Sequence, residues 1–208
     1  MSRDHDLEQF LSNLIYHEPQ KRRHVLNQSN YKHLFLTEFN DAEFASLIDP
    51  VSKTKYNIHR GTVNTDDLLT DSTIVTNTFE TSDRFKRSLE KSQQSNARYN
   101  QYNTIETGHS LGGALAEDIA YKNNTQSVVF NRGSSPLSNY DHIDREKHIH
   151  YRTDDDLVSE GAKKGSRRRE TTSSTYSKIS EKIPNWQIAK IGTKISNWYH
   201  AHLLKNMV

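Results

Sequence analysis

The chain has 208 residues, enough for a single domain with a real core, yet only 32% of them are hydrophobic and the mean hydropathy is −0.92. With 28 Lys and Arg against 26 Asp and Glu the charges nearly cancel, which by itself argues neither for nor against a nucleic-acid partner, though none is expected; with no cysteine there is neither a disulfide nor a thiolate metal site. No apolar run is long enough for a signal peptide or a bilayer span, so the product is expected to be soluble, cytoplasmic or virion-associated.

In chain order, Leu7, Phe10, Leu11 and Leu14 fall at helical spacing and predict a helix over 6–16. Leu34, Phe39, Phe44 and Leu47 give a weaker helical pattern over 31–48. Tyr56, Asn57 and Ile58 form a short strand signal that ends at Arg60-Gly61-Thr62. The stretch 81–99 predicts a helix capped by Thr81 or Ser82 and showing mostly a solvated charged face. A polar strand over 103–107, with Ile105 its only strong hydrophobe, leads into TGHSLGGALA. Residues 111–122 follow as a helix with Leu111, Leu115 and Ile119 along one side. Two more strands are predicted over 127–130 and 148–151, and a last helix over 195–207. Alternating strands and helices predict a mainly parallel sheet covered by helices.

Three of the eight glycines crowd around one serine. Gly108-x-Ser110-x-Gly112 is the pattern of a nucleophile elbow, in which a strand turns sharply into a helix and presents the serine hydroxyl at the apex. The N–H of the following residue, Leu111, then points where an oxyanion would form, and a second donor belongs on a neighbouring strand end, where Thr62 falls. A serine hydroxyl needs a base and the base a carboxylate, which on such sheets follow in the order serine, acid, histidine. Asp154, Asp155 and Asp156 are the acids in reach of that order, and His200 and His202 the bases; spacing alone leaves these open.

Four blocks together resemble the class 3 lipase family, which includes the fungal triacylglycerol lipases: YNIHRGT (56–62), TGHSLGGALA (107–116), VVFNRGSSPL (128–137) and YRTDDDLVS (151–159). The resemblance covers about residues 50–206. It implies an α/β-hydrolase-type fold, mainly parallel with helices on both faces, compact and without a cap domain. Residues 1–50 are expected as a helical segment packed on a 51–208 core, one domain overall. The acid block of the family falls on Asp156 and its terminal His-x-Leu-x-Asn block on His202–Asn206, so the resemblance implies a triad of Ser110, Asp156 and His202. It also implies an oxyanion hole from Thr62 and Leu111, lipid or small-ester substrates, and no cofactor. Leu157 stands where the family has proline, and the segment 63–75, which corresponds to the family's lid, carries Asp66, Asp67 and Asp71 among its few apolar residues.

Two further features stand beside the elbow. Lys163, Lys164, Arg167, Arg168 and Arg169 form a basic cluster, read first as a solvated loop and functionally as a contact for anionic headgroups. His148 and His150 alternate on one strand face, where packed histidines are the expectation and no metal is invoked. Two functions follow: a serine ester hydrolase, or a catalytically weak or inactive lipase-fold protein that serves in binding or assembly.

Overall fold

The computed structural model describes residues 5–61, 82–133, 147–153 and 167–171. Two short helices come first, α1 (Asp6–Leu14) and α2 (Pro19–Asn27). Three strands follow as an antiparallel meander: β1 (Phe35–Asn40), β2 (Phe44–Asp49) and β3 (Thr54–His59). Then come α3 (Asp83–Arg98), β4 (Asn103–His109), α4 (Leu111–Asn123), β5 (Gln126–Phe130), β6 (His148–Thr153) and β7 (Arg167–Thr171). The seven strands among the described residues lie in one sheet in chain order, and β3 through β7 run parallel.

The helix expected over 31–48 is not formed; those residues build β1 and β2. Phe44–Asp49 is buried at every position, so its apolar residues show neither alternation nor a helical stripe. Asp41 makes the turn between the strands, its carboxylate accepting from the N–H of Glu43 and Phe44. Helix α2 has no apolar stripe in sequence and is held through Arg22. That side chain is fully buried and donates to the carbonyls of Ile15, His17 and Asp41 and to Asn40 Oδ1, at 2.7 to 3.0 Å. Burial lowers its pKa to about 10. Part of the basic stretch expected as a loop is also strand, since Arg167–Thr171 pairs with β6 as β7. Charged residues are common on outer strands because they discourage pairing with another chain.

The two faces of the sheet differ in chemistry, because successive strand residues point to opposite sides. On one side α1 and α2 pack Leu11, Leu14, Ile15 and Leu26 against Ala45, Leu47, Tyr56 and Ile58. On the other side α3 meets β3 and β4 through polar groups. His59 Nε2 lies 2.7 Å from Glu106 Oε2; Ser92 and Asn57 both donate to Glu106 Oε1; Lys55 donates to Asn96 Oδ1 at 2.6 Å. Ser46, Ser95 and Asn57 extend the network. All of these except Asn96 are buried, which reconciles a packed sheet with a very polar sequence. Farther along this side, Phe85 of α3 packs with Leu115 and Ile119 of α4. Helices therefore cover both faces. No described helix is long and apolar enough to cross a membrane.

Candidate active site

Strand β4 lies inside the parallel part of the sheet, between β3 and β5, and ends at His109. Ser110 then takes φ 58° and ψ −126°, a backbone conformation open mainly to glycine, and α4 starts at Leu111. The turn is tight enough that its glycines have no room for side chains. A Cβ on Gly108 would meet the Gly112 and His59 carbonyls, the latter at 2.8 Å. A Cβ on Gly112 would meet the His59 carbonyl and, at 2.8 Å, the Gly61 nitrogen. Close passage of helix, strand end and the Arg60-Gly61 loop is thus what the glycine pattern provides.

The serine peptide is fixed on both sides. Ser110 N–H donates to the Phe130 carbonyl at 3.1 Å, and the Ser110 carbonyl accepts from Gly133 at 2.9 Å and from Ala114 at 3.1 Å. Thr107 donates to the Val128 carbonyl and pairs with Ser12 of α1, which seats the strand beneath. The Ser110 side chain is 2% exposed, and its Oγ has no hydrogen-bond partner among the described residues. It sits at the N-terminus of α4, where the first N–H groups lack intrahelical acceptors and the helix dipole favours negative charge.

Leu111 is the first residue of that helix, as the elbow pattern requires for an oxyanion donor. Thr62, Asp156 and His202 lie outside the described residues, as do the alternatives Asp154, Asp155 and His200, the segment 63–75 and the predicted helix over 195–207. The loop that leads to Thr62 is described as far as Gly61, where a Cβ would fall 2.7 Å from the His109 carbonyl and 3.4 Å from Gly112 N. Tyr16 closes over this loop. Burial raises its phenol to about 12 against the opposing Gly61 N–H and Arg60, whose guanidinium lies 5.6 Å from the ring centroid.

His148 and His150 are both buried in β6, with His148 Nδ1 2.9 Å from Ser127 Oγ and His150 Nε2 accepting from Arg132 N–H at 3.2 Å. Among the described residues no group of three His, Cys, Asp or Glu is placed to hold a metal. Sequence reasoning did not single out Arg132, which lies in the loop after β5 and ion-pairs with Glu117 and Asp118 of α4. A lone arginine between Asn131 and Gly133 carries no periodic signal; only the fold brings it under the elbow.

No family model matches the chain, and no curated protein does. Among solved structures, the chain is similar to Lip2 lipase from Yarrowia lipolytica, with 20% identity, 80% of this chain and 76% of that chain covered, and a TM-score of 0.46. It is similar to a Rhizomucor miehei triacylglyceride lipase at 15% identity, covering 82% and 79% with a TM-score of 0.49. A Rhizomucor miehei lipase propeptide complex is covered over 58% of its chain, at 14% identity and a TM-score of 0.47. The mainly parallel sheet, the helices on its two faces and the strand–serine–helix turn make this a fold of the α/β-hydrolase type.

Proposed function

We propose that the chain is a serine ester hydrolase acting on acyl esters of lipids. The observation that carries the reading is Ser110 itself. Its backbone holds a costly positive φ, and its hydroxyl is unbonded among the described residues at the start of a helix whose first N–H is Leu111. A residue with only a packing role has no use for that conformation. Ser110 Oγ attacks the acyl carbonyl while His202 takes the hydroxyl proton, and Asp156 orients and stabilises the imidazolium. The oxyanion is held by the N–H groups of Leu111 and Thr62. His202 passes the proton to the departing alcohol, and water, deprotonated by the same histidine, then releases the acid from the acyl-enzyme. No metal or cofactor enters these steps.

The close packing of Gly61 against His109 and Gly112 supports the assignment of Thr62, the next residue. The partners proposed are a lipid or small ester and, through Lys163, Lys164, Arg167, Arg168 and Arg169, an anionic membrane surface.

A fluorophosphonate probe is expected to label the wild type and not Ser110→Ala. Because it requires an activated serine but no guess about the acyl group, it tests the mechanism before the substrate. A folded wild type that does not label would favour the alternative, a lipase-fold protein retained for binding or assembly.

A further inference from the structure

We infer that Arg132 is a positioning residue for the nucleophile elbow, an inference that rests on Ser110 being the nucleophile. Three consecutive residues after β5 each hold a different part of the site. Asn131 N–H donates to the Tyr151 carbonyl of β6 at 2.8 Å, and Asn131 itself has a φ of 42°. Arg132 N–H donates to His150 Nε2. Gly133 N–H donates to the Ser110 carbonyl at 2.9 Å. The loop also borders the oxyanion donor, since a Cβ on Gly133 would lie 3.5 Å from Leu111 N.

The Arg132 side chain closes the circuit. Its Nη1 donates back to the Gly133 carbonyl at 3.0 Å, its Nη2 to Asp118 Oδ1 at 2.8 Å, and its Nε pairs with Glu117 Oε2. One guanidinium thus joins the loop that grips Ser110 to the helix that begins at Leu111. Arg132 and Glu117 are each 1% exposed. A buried ion pair rarely adds stability over well-packed apolar side chains, because two charges must first leave water. What a planar fork of donors adds is direction, and a lysine ammonium cannot reproduce it. The geometry it fixes is the separation of Ser110 Oγ from Leu111 N–H, on which the rate depends steeply.

The test uses the full chain with Arg132→Met and Glu117→Met combined, which removes both ends of the fully buried pair and leaves the arginine's other carboxylate, Asp118, 20% exposed, and with Arg132→Lys. The readouts are the fluorophosphonate labelling rate, kcat and KM on a short-chain ester, and hydrogen exchange of the peptide covering 107–116. Thermal melting checks folding. The expected result for the double variant is a melting point near that of the wild type, labelling and kcat lower by about 10- to 100-fold, KM nearly unchanged, and faster exchange at 107–116. Arg132→Lys should not restore the rate. Labelling at the wild-type rate in the folded double variant would overturn the inference, as would full rescue by lysine. If the double variant does not fold, Arg132→Lys carries the same comparison. If the wild type itself fails to label, the hydrolase reading falls, and unchanged exchange at 107–116 would overturn the positioning role as well.

Discussion

Ser110 occupies a backbone region where a Cβ is crowded, at a cost of about 1–3 kcal/mol. Evolution of a packing site would place glycine there; a reactive site keeps the side chain and bears the strain. Ser110→Gly is therefore expected to be more stable than Ser110→Ala by about 1 kcal/mol in chemical denaturation, with labelling lost in both. Equal stability of the two variants would mean that the strain is absent. The proposed base and acid are tested by substitution as well. Ester hydrolysis should fall by about 10³-fold or more in His202→Ala and substantially in Asp156→Asn, while His200→Ala and Asp154→Asn keep most activity. If His200 proves essential instead, the C-terminal register is wrong by two residues. The elbow was legible in the sequence because glycine spacing encodes backbone geometry directly. The partners proposed for Ser110 rest only on resemblance, since an aspartate in a run of three and one of two nearby histidines carry no geometry of their own.

Among the elements, α3 shows why the rest was harder to read. Its inward positions are Phe85, Ser88, Ser92 and Ser95, at helical spacing but with hydroxyls in place of leucines. The cap and the charged face therefore predict the helix, while the lack of an apolar stripe hides what it buries. Of the two candidate caps, Thr81 and Ser82, it is Ser82 that caps the helix, accepting from Phe85 N–H at 3.1 Å. The β1–β2 hairpin replaces the helix expected over 31–48 because β2 is buried on both faces and the Asp41 carboxylate makes the turn before it. The polar layer has a consequence for pH. Burial lowers Lys55 from the usual lysine value to about 8, with Glu106 opposing the shift. Between about pH 8 and 10.5 the unfolded chain holds a proton that the folded chain has released, so stability should rise with pH across this window. Below about 8 the burial cost of the charged ammonium is fully present. Thermal melting from pH 7 to 10 should show a gain in the wild type relative to Lys55→Met. Parallel curves would show that Lys55 keeps its proton throughout.

At the scale of the whole molecule, substrate choice depends on surfaces rather than on the elbow. The segment 63–75, which corresponds to a lid in the family resemblance, offers Leu68, Leu69, Ile74 and Val75 but also three aspartates. Apolar burial contributes roughly 25 cal/mol per Å², so a few missing side chains weaken docking on a neutral droplet by several kcal/mol. In the proposed reading the basic stretch 163–169 works in the opposite direction on a charged surface. Each cation near anionic lipid contributes about 1 kcal/mol, reduced by salt. Arg167–Arg169 lie in an outer strand of the described sheet. Fatty-acid release is therefore expected to be fastest from dispersed short-chain esters and anionic phospholipid vesicles, slower from neutral vesicles, and slowest from emulsified triolein. Raising the salt should erase the preference for anionic vesicles, and so should replacing Lys163, Lys164, Arg167, Arg168 and Arg169 with glutamine. Strong triolein hydrolysis that jumps when an interface forms would overturn this reading, as would vesicle activity indifferent to the five substitutions.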